Sequence, residues 1–205
     1  SGKTMEELYS IVNVALPSTK PYTTSGHLVR RGAVVRYEDF TGKVGGSDIA
    51  GSLQVDTGGK RPFMQGDLRS KVVDLGDLGV IVGTDEPREE GVLPDKPFDP
   101  ARWDSVDADV RVKAGTIRRP EQLPLQNLSA RIQMKDRVLT LNPLEFGIAG
   151  GKFAGAVTLD GRKETIRADL QMRVQKLQLG ELCPTIQSNK ASVGDISGLV
   201  ELNGS

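Results

Sequence analysis

One hairpin unit occurs twice in this chain, and the rest of the sequence has to fold around it. Gly45 to Leu78 (GGSDIAGSLQVDTGGKRPFMQGDLRSKVVDLGDL) reads as strand, tight turn, strand and short exit turn. Gly150 to Leu182 (GGKFAGAVTLDGRKETIRADLQMRVQKLQLGEL) repeats it loosely. Each copy opens on a Gly-Gly pair and continues with Ala-Gly (Ala50-Gly51, Ala154-Gly155). An Asp opens each turn (Asp56, Asp160), and Leu-Gly-acid-Leu closes each unit (Leu75 to Leu78, Leu179 to Leu182). Gly194 begins a third copy, GDISGLVELNG. Gly155 minus Gly51 is 104 and Gly198 minus Gly155 is 43, so the copies follow no single period. Self-similar hairpins of this kind read as one supersecondary unit stacked along an axis.

Within and around these units the apolar residues alternate with polar ones. Ile49, Gly51, Leu53 and Val55 fall on one side, and Met64, Gly66, Leu68, Ser70 and Val72 on the return strand. Val106, Ala108, Val110 and Val112 interleave with Asp107, Asp109, Arg111 and Lys113. Leu128, Ala130, Ile132 and Met134 do the same, as do Ile166, Ala168, Leu170, Met172 and Val174. A period of two predicts antiparallel strands with one wet and one apolar face. Tyr22 to Tyr37 predicts two more strands joined at Arg31-Gly32, and Val138 to Leu141 with Leu144 to Ile148 continue the pattern. Asp56-Thr57-Gly58-Gly59 and Asp136-Arg137 are turn signals.

Thr4 to Leu16 predicts the one amphipathic helix. Met5, Leu8, Val12 and Leu16 share a face, Thr4 and Glu7 make a capping-box pattern, and Pro17 stops it. Gly83 to Pro100, rich in proline and acid, predicts a long surface loop. The organisation read from the sequence is residues 1–83 as helix plus first β-unit, 84–105 as loop, 106–182 as second β-unit, and 183–205 as linker and start of a third.

Magnitude decides what such strands need. Each large apolar side chain left in water forgoes ~1.5–3 kcal/mol. One bare strand of four therefore costs as much as the net stability of a whole domain, ~5–15 kcal/mol. One short helix cannot cover this many strands. Either the sheet closes on itself as a sandwich or barrel, or it curls into a trough filled by something apolar. Only 4% of residues are aromatic and 24 are Gly, and small residues (Gly51, Gly66, Ser70, Ala108, Ala130, Ala168) interrupt the apolar face. Such a lining is smooth and shallow, which suits acyl chains. The same residues equally permit sheet curvature and close packing.

The function classes narrow from here. Lys+Arg and Asp+Glu balance at 27 each, which gives no reason to expect nucleic acid. The longest apolar run, Gly79 to Gly83, is far short of the ~20 residues that span a bilayer. No signal peptide is visible, and the chain is read as an internal piece of a longer protein. The single Cys183 excludes an internal disulfide framework and carries no activating context. Ser1-Gly2-Lys3-Thr4 resembles the tail of a phosphate-binding loop, but nothing precedes it to form the cradle. Gly45 to Asp48 and Gly194-Asp195 are turn chemistry, without the nine-residue register of calcium-binding turns. Asp74 with Asp77, and Glu86, Glu89 and Glu90, have no companion base, and His27 is the only histidine. No catalytic residue, metal site or cofactor is expected.

A family resemblance rests on a set of structural turns and strands. It includes Thr24-Ser25-Gly26, Asp39 to Gly51, Arg61-Pro62-Phe63, Asp67 to Ser70 and Asp74 to Gly79. In the second half it adds Phe98-Asp99, Leu123-Pro124-Leu125, Asn127-Leu128, Asn142-Pro143-Leu144, Gly150-Gly151 and Phe153-Ala154-Gly155. Across nearly its whole length the chain resembles the periplasmic region of the AsmA family of Gram-negative bacteria. The resemblance implies an inner-membrane anchor outside this stretch and a long periplasmic body whose curved sheet forms a groove, as in bridge-like lipid-transfer proteins. It also implies a link to outer-membrane integrity and phospholipid traffic, and no catalytic motif.

The expectation is an all-β chain: a long, strongly curved antiparallel sheet forming an apolar groove, with one N-terminal amphipathic helix and short helical turns. The groove residues are Ile49, Leu53, Val55, Met64, Leu68, Val72, Val106, Val110, Val112, Leu128, Ile132, Met134, Phe153, Val157, Leu159, Ile166, Leu170, Met172 and Val174. The expected ligand is a phospholipid or other acyl-chain lipid, and the expected function is non-enzymatic lipid binding and transfer. The alternative is an assembly scaffold that binds periplasmic or outer-membrane proteins through sheet edges or loops.

Overall fold

The computed structural model of the chain describes residues 1–8, 19–77, 106–119, 122–163, 165–178, 181 and 194–204. Ten strands make one sheet: β1 (Tyr22–Arg31), β2 (Val34–Val44), β3 (Ser47–Asp56), β4 (Phe63–Asp74), β5 (Asp107–Arg119), β6 (Gln122–Lys135), β7 (Val138–Ile148), β8 (Gly151–Asp160), β9 (Arg167–Gln178) and β10 (Asp195–Gly204). They lie side by side in chain order, in an open, curved sheet. Among the described residues, contact between elements runs between sheet neighbours and, besides these, mainly between β5 and the Leu75–Asp77 turn. No described strand or helix forms a second layer over either face.

The turn residues act as their chemistry predicts. The Asp56 carboxylate accepts the Gly58 N–H at 2.9 Å, and Asp160 accepts the Arg162 N–H at 3.1 Å. Thr57 N–H donates to the Ala33 carbonyl, and Gly161 N–H to the Arg137 carbonyl. These equivalent bonds lie 104 positions apart, and so do the ladders. Phe40, Gly51 and Leu68 form one cross-strand row, and Leu144, Gly155 and Met172 form the matching row 104 further on. Both hairpins also carry a bulge at the same point, Tyr37/Phe40 and Leu141/Leu144. In the first bulge Asp39 takes a left-handed φ of 47°. In the second, Pro143 lacks the N–H that a ladder bond needs, so the pairing skips there.

Two expectations need correction. The predicted helix Thr4–Leu16 is, in the described residues, only a 3₁₀ turn at Met5–Leu8; residues 9–18 lie outside the described set. Hydrogen bonds distant in sequence compete with the cap: Thr19 N–H donates to the Thr4 hydroxyl at 2.9 Å, and Met5 N–H to the Thr19 hydroxyl at 3.0 Å. The Thr4 side chain is thus tied to the chain entering β1. Second, the sheet is not antiparallel throughout. β4 and β5 run parallel, from Phe63↔Asp107 to Asp74↔Arg118. A parallel neighbour requires the connection to return the chain to the starting end. That connection holds the predicted Gly83–Pro100 loop and lies outside the described residues, as do Glu86, Glu89, Glu90 and Cys183.

Candidate functional site

Register decides which side chains share a face, since directly paired residues point the same way. One cross-strand row passes through all ten strands: Leu28, Tyr37, Leu53, Gly66, Val110, Ile132, Leu141, Val157, Leu170 and Leu202. Every member is apolar or Gly, apart from the Tyr37 hydroxyl, which pairs with the Thr24 hydroxyl at 2.9 Å. A second row joins Val35, Val55, Met64, Ala108, Met134, Leu139, Leu159 and Ala168. A third joins Phe40, Gly51, Leu68, Val112, Ala130, Leu144, Gly155, Met172 and Val200.

The remaining predicted groove residues fall on the same face. Phe153 pairs with Val174, and Leu128 with Ala114. By the two-residue period, Ile49 and Val72 follow their strands onto it. Seventeen of the nineteen predicted residues therefore share one side, while Val106 and Ile166 stand just before β5 and β9. Val55, Val110, Met172 and Val174 are buried, and the other fifteen are half-buried. The face is a continuous apolar trough crossing the sheet.

Sequence reasoning missed part of this lining. Leu139 and Leu141 are followed on the same face by Leu144 and Phe146, a parity slip across the Asn142-Pro143 bulge. Tyr37 and Phe40 slip likewise at Asp39. A strict alternation breaks at such points, and the Asn-Pro and Asp residues were the available signals. Phe146 stacks on Phe153 (centroids 4.9 Å apart, planes within 5°), and Tyr37 on Phe40 at 4.8 Å. The aromatic pairs stand at different places in the two units, Tyr37 and Phe40 at the bulge of the first and Phe146 and Phe153 beside the β7–β8 turn of the second.

The opposite face is mostly polar along its centre, although its β1 member is Val29, paired with Arg36. Its central row reads Arg36, Gln54, Gln65, Asp109, Gln133, Thr140, Thr158, Asp169 and Asn203. A depression of about 630 Å³ lies on this side, lined by groups including Arg36, Asp67, Asp109, Arg111 and Arg131. Its charges already answer one another: Arg111 to Asp67 at 2.8 Å, and Arg131 to Asp109 at 2.6 Å. The Arg131 hydrogen bond holds the Asp109 carboxyl below its ordinary value.

Asp77 closes one end of the first unit. It is 2% exposed, accepts the Gly46 N–H and the Ser47 hydroxyl at 2.8 Å each, and pairs with Lys20 at 2.8 Å. Burial pushes its carboxyl up, but the bonds from Lys20, Ser47 and Gly46 outweigh burial and hold it below its ordinary value. Asp74, read beside it as a candidate paired carboxylate, accepts the Gly76 N–H at 2.9 Å. Both make structural contacts. Among the described residues, no three His, Cys, Asp or Glu side chains gather as a metal site would require. No described helix is long and apolar enough to cross a membrane.

No solved structure matches the chain. The AsmA family profile matches residues 4–205. The chain is also similar to the AsmA family protein YhjG of Escherichia coli (strain K12), 35% identical over a 229-residue alignment. That alignment takes in 100% of this chain and 33% of the relative, so the chain spans about a third of the relative's length. On the match over nearly its full length, the chain belongs to the AsmA family.

Proposed function

We propose that this chain is a non-enzymatic lipid-binding and transfer module of the bacterial envelope, holding phospholipid acyl chains on its apolar face. The observation that carries the reading is that face itself. It is apolar in every one of ten strands, and no described element is layered over it. Water is a poor neighbour for such a surface, since each half-buried side chain still forgoes part of ~1.5–3 kcal/mol. An acyl chain has no polar group to satisfy and no fixed shape to match, so a row of Leu, Val, Ile and Met can hold it anywhere along the trough. Weak, repeated binding is what transfer needs. In this reading the module works in the periplasm, with the inner-membrane anchor outside this stretch, and serves traffic toward the outer membrane. Family membership supports an envelope setting for it.

The test is native mass spectrometry of the chain purified from a membrane-containing bacterial lysate, followed by organic extraction. Bound phospholipid, lost in Ile132→Asp or Leu170→Asp without loss of fold, supports the reading. A lipid-free, cooperatively folding chain refutes it.

One observation favours a second reading, an assembly scaffold. Among the described residues β10 is an edge strand, with Leu199 63%, Leu202 59% and Ile196 46% exposed. It offers unpaired backbone groups to an incoming strand, without the Lys or Pro residues that blunt many sheet edges. In that reading the partner is a periplasmic or outer-membrane protein that pairs with β10.

A further inference from the structure

The trough has two long rims, formed by the strand ends. Register shows which turns share a rim. Arg31 pairs with Val34, Val34 with Asp56, Asp56 with Phe63, and Phe63 with Asp107. Further along, Lys135 pairs with Val138, Val138 with Asp160, and Asp160 with Arg167. The β1–β2, β3–β4, β6–β7 and β8–β9 turns therefore all project from the same side of the sheet. By the ~4.8 Å spacing of strands, successive turns stand roughly 10–15 Å apart.

That rim is basic. Arg30, Arg31, Lys60, Lys135 and Lys163 are exposed there and form no ion pair among the described residues. Its described carboxylates are already engaged. Asp56 accepts the Gly58 N–H, Asp107 and Asp136 stand 3.6 and 3.3 Å from Arg61, and Asp160 accepts Arg162 Nε at 2.9 Å. Among the described residues, these surplus cations have no acid paired with them. Arg30, paired with Val35, stands on the trough side itself, beside the row of Val55 and Met64. The opposite rim also carries exposed cations without an ion pair (Lys43, Lys71, Arg118 and Lys176), but among the described residues they are interspersed with the acids Asp48, Asp74, Asp77, Glu145, Glu181 and Asp195, so that rim is mixed. Lys20 answers Asp77 and Lys152 answers Glu145, while Asp48 and Asp74 accept backbone N–H groups.

We infer that the basic rim is the headgroup side of the trough: acyl chains lie on the apolar face while phosphates sit among Arg30, Arg31, Lys60, Lys135 and Lys163. The module then selects phosphate-bearing lipids over uncharged diacyl lipids and holds them in one orientation. The inference rests on the proposed lipid binding and adds the headgroup class and its location. A phosphate meeting Lys or Arg gains charge-assisted hydrogen bonds. At an exposed rim each pair is weak and screened by salt. Two such pairs per phosphate give a preference of about three- to thirty-fold.

The test compares two lipids with the same short acyl chains, dioctanoyl-phosphatidylglycerol and dioctanoylglycerol, both below their aggregation limits. Binding is titrated in low salt and in high salt. It is repeated with the variant Arg30→Gln/Arg31→Gln/Lys60→Gln/Lys135→Gln/Lys163→Gln, and with Lys43→Gln/Lys71→Gln as an off-rim control. The expected result is a low-salt preference for the phosphate lipid of about three- to thirty-fold. Salt and the five-site variant should both abolish it, the control should keep it, and dioctanoylglycerol should bind equally throughout. The salt arm stands even if the five-site variant misfolds. Equal binding of both lipids to the unaltered chain overturns the rim assignment and leaves the trough reading standing. No binding of either lipid overturns the trough reading, and the rim assignment with it. Capture of phosphatidylglycerol vesicles without uptake of the monomeric lipid would make the rim a membrane-docking surface, and also overturns the assignment.

Discussion

Adding one methyl group at each of three glycines separates close strand approach from mere glycine content. A Cβ at Gly155 would run into the Gln171 carbonyl oxygen and lie 2.9 Å from both the Gln171 carbonyl carbon and the Met172 Cα. A Cβ at Gly51 would meet the Asp67 carbonyl oxygen in the same way, with the Leu68 Cα at 3.1 Å. Carbon atoms prefer separations of about 3.5 Å or more, so β8 must move away from β9, or β3 from β4. The atoms in the way are backbone and cannot swing aside. Opening the ladder weakens the hydrogen bonds on either side, each worth ~0.5–1.5 kcal/mol net. Gly155→Ala should therefore cost ~1–3 kcal/mol. Gly51 also holds a φ of 150°, where an L side chain is strained. Gly51→Ala should cost a further ~1–3 kcal/mol. A methyl group at Gly198 in β10 would meet no atom within 4 Å. Gly198→Ala should stay within about 0.5 kcal/mol of the parent chain. Urea unfolding followed by circular dichroism reads all three. The reasoning fails if Gly155→Ala unfolds at the same midpoint as Gly198→Ala, or if Gly51→Ala is the milder of the two close-packed substitutions.

Three other outcomes follow from the same geometry. Ile132→Asp and Leu170→Asp should each cost only ~1–2 kcal/mol of stability, because both side chains are half-buried, yet remove bound phospholipid; calorimetry beside lipid extraction checks both. Asp77→Asn should cost ~1–3 kcal/mol at pH 7 by breaking the pair with Lys20. The Asp77 carboxyl is held below its ordinary 3.8 in the fold, so its contribution is present above that pH and fades as pH falls below it. Urea midpoints of parent and variant should accordingly converge in acid, and a constant gap down to pH 2 would exclude Asp77 as the cause. Leu199→Lys with Leu202→Lys should leave the urea midpoint within about 0.5 kcal/mol of the parent chain, since both side chains are already exposed; a larger drop would show that β10 packs through them.

Much of this fold was readable because alternation is a local signal. Ile166 to Val174 carries an apolar residue at every second position, and β9 follows that alternation from Ala168 onward. The hairpin pair at Gly51 and Gly155 also carried over into three dimensions, down to the shared bulge position. What escaped is what local patterns do not carry. The capping pattern at Thr4 competes with Thr19, a partner fifteen residues away. The parallel meeting of β4 and β5 depends on the path of the chain between them, for which the sequence holds no period. The left-handed position at Lys176 lacks the Asp, Asn or Gly that usually announces one. At the candidate site, the predicted lining residues that lie in strands share one face, but Leu139, Leu141, Leu144 and Phe146 were invisible to a strict period of two. The basic rim was hidden for a different reason. Its cations are scattered from Arg30 to Lys163, and only the strand order reveals that their turns share a side.

The proposed trough puts acyl chains on one face of the sheet and not the other. Adjacent residues test it most directly, because Ile132 and Gln133 point to opposite faces, as do Val157 and Thr158. A photoreactive amino acid placed at each of these four positions in turn, with light applied in cells, should report what lies within reach. Phospholipid adducts, seen by mass spectrometry, are expected at positions 132 and 157 and none at 133 and 158. Equal labelling of both faces, or protein adducts alone at positions 132 and 157, would contradict it.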